Sequence, residues 1–183
     1  MRIVAGEWRG RPLRAPDGEN TRPTADRTRE TLFSMLQSRL GSFEDLKVAD
    51  LFAGSGALGL EALSRGAASC LFVEQNAGAV RAIKDNVASF KATARADVRA
   101  ASVMTLGAVK EPVDLLLLDP PYGSGAGAVA LDRLARLGWI DGASWISLET
   151  HADEEPELRS FEIDAIRKVG KARLTLLRLK TDG

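Results

Sequence analysis

Hydrophobic residues recur along the chain at two spacings, one typical of helices and one typical of strands. Apolar side chains between Leu32 and Leu40 lie on one helix face, which predicts a helix over 25–40 with Thr24 as its N-cap. The same spacing predicts amphipathic helices over 58–65, 77–90 and 126–137. Short apolar runs predict strands over 48–53, 69–74, 95–101, 113–119, 145–150, 160–167 and 173–179.

The order of these elements predicts an α/β fold with a doubly wound, mostly parallel sheet of seven strands. The fourth run, 115–118, is all leucine and therefore apolar on both faces, as a central strand of such a sheet should be. No helix separates the last two strands, so we predict an antiparallel hairpin at the end of the sheet. Two short strands over 2–5 and 8–13 are predicted to form an N-terminal hairpin.

The first strand of the predicted sheet leads into a glycine-rich turn. Gly54, Gly56 and Gly59 form the pattern G-x-G-x-x-G between this strand and the next helix. Such glycines let the backbone approach a ligand closely, and the helix N-terminus offers free N–H groups. Glu74, twenty residues past Gly54, is placed to accept hydrogen bonds from ribose hydroxyls. The pattern therefore predicts a nucleotide-type cofactor; the alternative is a purely structural turn with Glu74 as a helix cap.

A second polar segment, Asp119-Pro120-Pro121-Tyr122, follows the all-leucine strand. The prolines fix the backbone and leave carbonyl acceptors beside the Asp119 carboxylate. A carboxylate next to a carbonyl can hold a planar –NH₂ group, and the Tyr122 ring offers a face on which a base can stack. The segment therefore predicts an amine-binding site, with an ordinary Asp-Pro turn as the alternative.

Composition restricts the class of protein further. Of 183 residues, 45% are hydrophobic and 27% are charged, which is typical of a single soluble globular domain. The single cysteine, Cys70, excludes an internal disulfide, and the sequence offers no Cys/His cluster for a metal. The apolar runs are far shorter than the ~20 residues that span a bilayer, and the N-terminus lacks an apolar signal region. We therefore expect a cytoplasmic protein without a membrane partner.

The net charge of zero is the sum of segments with opposite charge. Between Arg2 and Arg29 the chain has seven arginines, no lysine and four acidic residues. Eight acidic residues oppose one arginine over 141–164, whereas 165–180 has six basic residues and no acid. Overall neutrality therefore does not exclude a nucleic-acid partner, because clustered arginines can bind phosphates.

The motifs that follow the first and the fourth predicted strands together resemble those of S-adenosylmethionine-dependent methyltransferases that modify exocyclic amino groups. The motifs are Asp-Leu-Phe-Ala-Gly-Ser-Gly over 50–56 and Asp-Pro-Pro-Tyr over 119–122. Residues 2–11 and 22–33 narrow the resemblance to the bacterial 16S ribosomal RNA guanine-N2 methyltransferases, the RsmD-like family. The likeness spans essentially the whole chain and implies a Rossmann-like class I methyltransferase fold whose seventh strand is antiparallel.

The resemblance also implies roles for individual residues. Gly54 and Gly56 would approach the methionine part of S-adenosylmethionine, and Glu74 would bind its ribose. Ser102 takes the place of the Asp or Asn that the family usually has near adenine. The implied cofactor-binding set is Asp50, Phe52, Ala53, Gly54, Gly56, Glu74, Ser102 and Thr24. The implied catalytic set is Asp119, Pro120, Pro121 and Tyr122, with S-adenosylhomocysteine as product and no metal.

The arginine-rich segment implies how RNA would be held. The expected RNA-binding set is Trp8, Arg9, Arg11, Arg22, Arg27 and Arg29. Guanidinium groups bind phosphates in bidentate fashion, and Trp8 would stack on a base unless it anchors the segment to the core. We expect residues 1–45 to form an extension for RNA recognition and 46–183 to form the methyltransferase domain. The expected partner is 16S ribosomal RNA, free or within an assembling small subunit, and the protein is expected to be a monomer.

Other functions fit parts of the pattern. An N6-adenine or another guanine amino-methyltransferase acting on RNA or DNA would use the same Asp-Pro-Pro-Tyr motif. A nicotinamide-dependent oxidoreductase would use G-x-G-x-x-G with Glu74 but leaves that motif unexplained, and an RNA-binding assembly factor would keep the fold without turnover. Residues 123–127 fit either a lid or a plain loop. Either Asp119 or water could take the proton that the amine releases.

Overall fold

The fold is defined by a computed structural model that describes residues 1–16 and 23–181. Its helices are α1 (Pro23–Leu40), α2 (Ala57–Ser64), α3 (Ala77–Ser89) and α4 (Ala126–Arg136). Its strands are β1 (Lys47–Leu51), β2 (Ser69–Glu74), β3 (Ala96–Ala100), β4 (Leu115–Leu118), β5 (Trp145–His151), β6 (Phe161–Val169) and β7 (Ala172–Leu179). The alternation predicted from the sequence is confirmed, and each boundary lies within about two residues of its expected place.

The strands form one mixed sheet in the order β3-β2-β1-β4-β5-β7-β6. β1 pairs in parallel with β2 and β4, and β4 pairs in parallel with β5. β7 is antiparallel to both β5 and β6, so the predicted terminal hairpin is confirmed. The strand order reverses between β1 and β4, and open α/β sheets bind ligands in the crevice outside the strands at such a switch point.

Helices cover both faces of the sheet, which explains the all-leucine strand at its centre. Leu115 and Leu117 pack in the apolar layer that contains buried residues of α1, α2 and α3. Leu116 and Leu118 pack in the opposite layer, which contains those of α4. Because both sides of β4 are buried, it has no position at which a polar side chain would reach water.

The N-terminal residues fold back into a short hairpin, which packs in the layer with α1, α2 and α3. Trp8 and Leu13 are buried there. Its antiparallel bridge joins Arg2 and Pro12, where the Leu13 N–H donates to the Met1 carbonyl at 2.8 Å and the Ile3 N–H donates to the Arg11 carbonyl at 3.0 Å. The hairpin is shorter than predicted, because the N–H groups of the fourth and fifth residues donate to the carboxylate of Glu61 on α2.

Helix α1 begins two residues earlier than predicted, at Pro23. Proline suits the first turn of a helix because its missing N–H has no helical partner to lose and its φ angle is preset. Thr24 therefore lies in the first turn of α1 and not at its N-cap. Arg22 and the side chain of Thr24 lie outside the described residues, so their expected roles stay predictions.

Candidate active site

A cavity of about 780 Å³ lies at the carboxyl ends of β1, β2 and β4, a size typical of sites for small molecules. Among the expected cofactor residues, those that line it are Phe52, Ala53, Gly54, Glu74 and Ser102. The whole 119–122 segment lines it as well. Residues of α1 and of the β6–β7 turn form the other walls. The two motifs singled out in the sequence therefore share one cavity.

The glycine-rich turn uses its glycines for two different purposes. Gly54 has a φ angle of 58°, and a Cβ atom added there would meet no atom within 4 Å, so the backbone borders open space. A Cβ atom on Gly59 would lie 2.4 Å from the ring of Phe72, so this glycine lets α2 pack closely on β2. Phe52 also has a left-handed φ angle, 58°, which is uncommon for a residue with a side chain. The turn is therefore shaped around the cavity.

Glu74 links the glycine-rich turn to the start of α3. Its Oε1 accepts a hydrogen bond from the Gly54 N–H at 2.9 Å, and its Oε2 accepts one from the Asn76 N–H at 2.9 Å. Asn76 is the N-cap of α3, since its side chain accepts from the Ala79 N–H at 2.9 Å. Each carboxylate oxygen of Glu74 can accept a second hydrogen bond. The cap is thus supplied by Asn76, and Glu74 faces the cavity.

Asp50 lies beneath the turn and does not line the cavity. Its Oδ2 accepts a hydrogen bond from the Gly59 N–H at 2.9 Å, which ties the end of β1 to α2. Burial raises the pKa of Asp50 to about 8, and the negative charge of Glu74 adds to the effect. In the described structure it braces the turn from below, and its expected contact with the cofactor stays a prediction.

Asp50→Asn is expected to flatten the dependence of stability on pH. In the unfolded chain Asp50 loses its proton near pH 4, whereas in the folded protein it keeps the proton until about pH 8. The stability that protonated Asp50 contributes to the fold is therefore lost as the pH rises between these values. Over pH 5–7 the free energy of unfolding should therefore fall by roughly 1 kcal/mol per pH unit through this group. Urea unfolding of both proteins at several pH values measures the difference; parallel curves would contradict the prediction.

The segment after β4 is held rigidly. The Asp119 N–H donates to the Leu51 carbonyl at 3.4 Å, which continues the pairing of β4 with β1. The Pro121 carbonyl accepts hydrogen bonds from both the N–H and the hydroxyl of Ser124, so it serves the loop and not a ligand. The predicted amine-binding pair, the Asp119 carboxylate and the Pro120 carbonyl, therefore does not extend to the Pro121 carbonyl.

Glu149, on β5, is a member of this site that the sequence interpretation missed. Its Oε2 accepts a hydrogen bond from the Tyr122 hydroxyl at 2.9 Å, and it follows Leu148, the register partner of the Leu118 that precedes Asp119. Burial raises the pKa of Glu149. Burial and the neighbouring charge of Glu149 raise the pKa of Tyr122. Tyr122 is still 45% exposed, so part of its ring is open to a ligand.

Glu154 orders the loop that follows Tyr122. Its Oε1 accepts hydrogen bonds from the Gly123 N–H at 2.8 Å and the His151 N–H at 2.9 Å, which lower its pKa. Gly125, in a left-handed conformation, is the N-cap of α4. These contacts favour a plain loop over a lid for residues 123–127, and they give Glu154, one of the eight acids over 141–164, a structural role.

Comparison with known proteins identifies the family. The family described as conserved hypothetical protein 95, the RsmD family, matches residues 1–178. The chain belongs to this family. Ribosomal RNA small subunit methyltransferase D of Escherichia coli strain K12 is 37% identical over 153 residues, 84% of this chain and 76% of the relative. The protein of the same name from Haemophilus influenzae is 35% identical over 159 residues, 84% of this chain and 80% of the relative.

Solved structures agree with the family assignment. An Escherichia coli protein provisionally described as a methyltransferase has a TM-score of 0.84 and 32% identity, with 100% of this chain and 99% of that chain covered. A hypothetical protein of Thermus thermophilus has a TM-score of 0.75 and 30% identity, with 98% of this chain and 99% of that chain covered. The RsmD-family chain thus has the expected class I methyltransferase fold.

Two residues expected to bind RNA in this RsmD-family chain are instead part of its core. Trp8 is 4% exposed, and its ring stacks on Phe90 with 4.8 Å between centroids, so it anchors the segment and cannot stack on a base. Arg29 is 3% exposed, and its guanidinium pairs with Glu61 at 3.2 Å and Asp26 at 3.0 Å. Both expectations are corrected: these side chains stabilise the fold.

The other described arginines of the expected set stay on the surface. Arg9, Arg11 and Arg27 are exposed. Arg11 lies over the ring of Phe90 at 4.5 Å and donates to the Ser89 carbonyl at 2.7 Å, so its direction is constrained by α3 and the residue that follows it. The RNA-binding prediction therefore rests on fewer residues than composition suggested.

Ser102 lines the cavity of this RsmD-family chain, and its hydroxyl already has a hydrogen-bond partner two residues further along the chain. Its hydroxyl oxygen accepts a hydrogen bond from the Met104 N–H at 3.2 Å and begins a short 3₁₀ turn. A contact with adenine stays a prediction. Across the described residues, no cluster of His, Cys, Asp and Glu could hold a metal ion, and no helix is long and apolar enough to cross a membrane.

Proposed function

We propose that this protein transfers a methyl group from S-adenosylmethionine to the exocyclic N2 amine of a guanine in 16S ribosomal RNA. The observation that carries the proposal is that one cavity joins the glycine-rich turn and Glu74 to the Asp119–Tyr122 segment. Relatives with 35% and 37% identity that are named ribosomal RNA small subunit methyltransferase D support the substrate class. The guanine N2 position rests on the motif resemblance.

The residues around the glycine-rich turn fit this cofactor. Glu74 keeps acceptor capacity for ribose hydroxyls after its two backbone hydrogen bonds. The open backbone at Gly54 allows the methionine part to approach, and Ser102 lies on the cavity wall where the adenine is expected. When bound, S-adenosylmethionine supplies an electrophilic methyl group whose bonding electron pair stays on sulfur as the new N–C bond forms.

The chain's own residues would act on the amine. The lone pair of a guanine N2 atom is delocalised into the ring, which makes the nitrogen a weak nucleophile. Hydrogen bonds from the –NH₂ group to the Asp119 carboxylate and the Pro120 carbonyl would favour a pyramidal nitrogen and direct its lone pair. The carboxylate would also stabilise the positive charge that develops on nitrogen. The exposed part of the Tyr122 ring would stack on the base.

The N-terminal extension, residues 1–45, would recognise RNA, and residues 46–183 would bind the cofactor and hold the amine. Three described arginines of this extension are exposed and belong to the expected RNA-binding set: Arg9, Arg11 and Arg27. The protein has no net charge, so nonspecific attraction to RNA should be weak and the target's shape should matter more. We further propose that it acts as a cytoplasmic monomer on RNA, free or in an assembling subunit.

Methyl transfer from isotopically labelled S-adenosylmethionine tests the proposal. The purified protein is incubated separately with 16S ribosomal RNA and with small subunits that lack the modification, and the RNA is digested to nucleosides. We expect label in N2-methylguanosine. Label in N6-methyladenosine would support the alternative amino-methyltransferase, and absence of label from both substrates would overturn the proposal. The ratio between the two substrates identifies the natural one.

A further inference from the structure

The tip of the β6–β7 hairpin, residues 167–173, contains basic residues and no acidic one. The basic residues of this hairpin tip are Arg167, Lys168, Lys171 and Arg173. Lys171 is exposed and also lines the cavity, together with its neighbour Ala172. The mechanism of methyl transfer assigns a role to none of these four side chains.

Two backbone contacts hold the hairpin tip beside the end of β5. The Ala152 N–H donates to the Lys171 carbonyl at 2.8 Å, and Ala172 is the register partner of His151. The His151 ring meets the Tyr122 ring edge-on, with 5.5 Å between centroids. The hairpin tip therefore lies next to the tyrosine on which the target base is proposed to stack. A base that enters the cavity would leave its flanking phosphates at this rim.

The positive charges of the hairpin tip lie close to one another. Lys168 and Arg173 are register partners in the antiparallel β6–β7 pair, so their side chains leave the same face of the sheet. Like charges that lie directly opposite each other destabilise a sheet. A bound polyanion would therefore relieve a repulsion that the free protein carries.

The cations of the hairpin tip have no acidic partner in the described part of the chain. None of the four forms an ion pair there, whereas Arg14 pairs with Asp85 at 3.2 Å and Arg39 pairs with Asp164 at 2.8 Å. The Nε atom of Arg173 is buried and, among the described residues, has no hydrogen-bond partner. The hairpin tip therefore offers donors and positive charge to a ligand that brings acceptors and negative charge.

The acidic residues that follow β5 do not neutralise the hairpin tip. The carboxylate of Asp153 lies 3.6 Å from the Nδ1 atom of His151. Glu154 accepts hydrogen bonds from the N–H groups of Gly123 and His151. Both acids therefore have partners outside the hairpin, and neither forms an ion pair with Lys171.

We propose that the hairpin tip, through Lys168, Lys171 and Arg173, binds the backbone phosphates of the RNA beside the target base. This inference rests on the proposed function and adds a second RNA-binding surface to the N-terminal extension. Trp8 and Arg29 of that extension are buried, so the hairpin tip supplies positive charge that the extension lacks. Phosphate contacts fix the position of the RNA but do not read its sequence, so the choice of target stays with the base and the RNA shape.

Binding of unmodified 16S ribosomal RNA at several salt concentrations tests the proposal without methyl transfer. Lys168→Gln/Lys171→Gln removes two charges from exposed positions, so the variant should fold as the wild type does. We expect its dissociation constant for the RNA to rise about tenfold near 0.15 M salt. The slope of log K against log salt concentration should become shallower by about 1.5, because two fewer phosphates are neutralised. Calorimetry with S-adenosylmethionine checks that the cavity is intact.

Two further variants make the result specific to the charge of the hairpin tip. Lys91→Gln/Lys110→Gln is the matched control, because it removes the same charge from exposed positions after α3 and before β4, away from the cavity. Lys168→Arg/Lys171→Arg keeps the charge and should bind the RNA with wild-type salt dependence. A glutamine variant of the hairpin tip that binds the RNA like the matched control would overturn the proposal.

Two other outcomes separate this inference from the proposed function. Weaker binding of the glutamine variant to small subunits, but not to free 16S ribosomal RNA, would assign the hairpin tip to a ribosomal protein and overturn the phosphate contact. Weaker binding to the free RNA, from a wild-type protein that forms no N2-methylguanosine, would support the phosphate contact and overturn the proposed function.

Discussion

Asp119→Ala is expected to reduce methyl transfer by about 10²–10³-fold, because it removes the carboxylate that the mechanism places against the amine. The affinity for S-adenosylmethionine should change little, since the groups assigned to the cofactor, Gly54 and Glu74, are held by each other and by α3. Single-turnover transfer to 16S ribosomal RNA measures the first quantity, and calorimetry with S-adenosylmethionine measures the second.

Two further variants make this expectation specific to the carboxylate. Asp132→Ala removes an exposed acid from α4 and should transfer methyl groups at the wild-type rate. Asp119→Asn keeps an acceptor oxygen but not the charge, so its rate should lie between those of the wild type and the alanine variant. Full activity in Asp119→Ala would contradict the mechanism. Loss of cofactor binding in that variant would mean that Asp119 shapes the whole cavity.

The fold could be predicted from the sequence because the burial of each strand is visible in a few consecutive residues. Each leucine from Leu115 to Leu118 packs against one of two layers, and such two-sided burial leaves a continuous apolar run that is visible without a structure. The glycine-rich turn and the Asp119–Tyr122 segment each follow such a run directly. Their position at one edge of the sheet then follows from the parallel order of the strands.

Contacts between distant parts of the chain could not be predicted in this way. The arginine-rich composition of the N-terminus does not distinguish an arginine that meets phosphate from one that meets Glu61, and Glu61 itself has the appearance of an ordinary helix residue in the sequence. Composition therefore predicts that Arg29 and Trp8 contact RNA, whereas both side chains are buried. The N-terminal hairpin is shorter than predicted for the same reason, since the N–H groups of Val4 and Ala5 donate to that distant carboxylate.

Glu149 was missed although a signal for it exists. Along β5 the buried run 146–148 ends at this acid, just as the β4 run ends at Asp119. Two acids that directly follow register partners of adjacent parallel strands, as Asp119 follows Leu118 and Glu149 follows Leu148, must lie close together. The adjacency of β4 and β5 is a property of the sheet order, however, and the motif resemblance did not include this position.

The largest expected loss of stability is that of Glu61→Ala. The carboxylate is fully buried, and each of its oxygens accepts two hydrogen bonds. Oε1 accepts the Val4 N–H at 2.9 Å and the Arg29 Nε at 3.2 Å. Oε2 accepts the Ala5 N–H at 3.0 Å and the Arg65 Nε at 3.0 Å. Glu61 thereby joins the N-terminal segment, α1 and α2.

Removing this carboxylate leaves Arg29 buried without one of its two acidic partners and leaves two backbone N–H groups unpaired. Breaking a buried ion pair by deleting one partner typically costs about 3–5 kcal/mol in the free energy of unfolding. Urea unfolding monitors the loss, and Glu30→Ala, an exposed acid on α1, is the matched control with little expected change. A loss no larger than that of Glu30→Ala would contradict the prediction.

The same substitution connects the N-terminal segment to the cavity. Arg29 and Thr28 line the cavity from α1, and Met1 lines it from the N-terminal segment, so a segment released from Glu61 would open that wall. Limited proteolysis of Glu61→Ala should therefore cleave within the first residues faster than in wild type, and S-adenosylmethionine should slow the cleavage if it closes the cavity against α1. Cleavage at the wild-type rate would show that the buried apolar side chains of the segment, such as Trp8, hold it without Glu61.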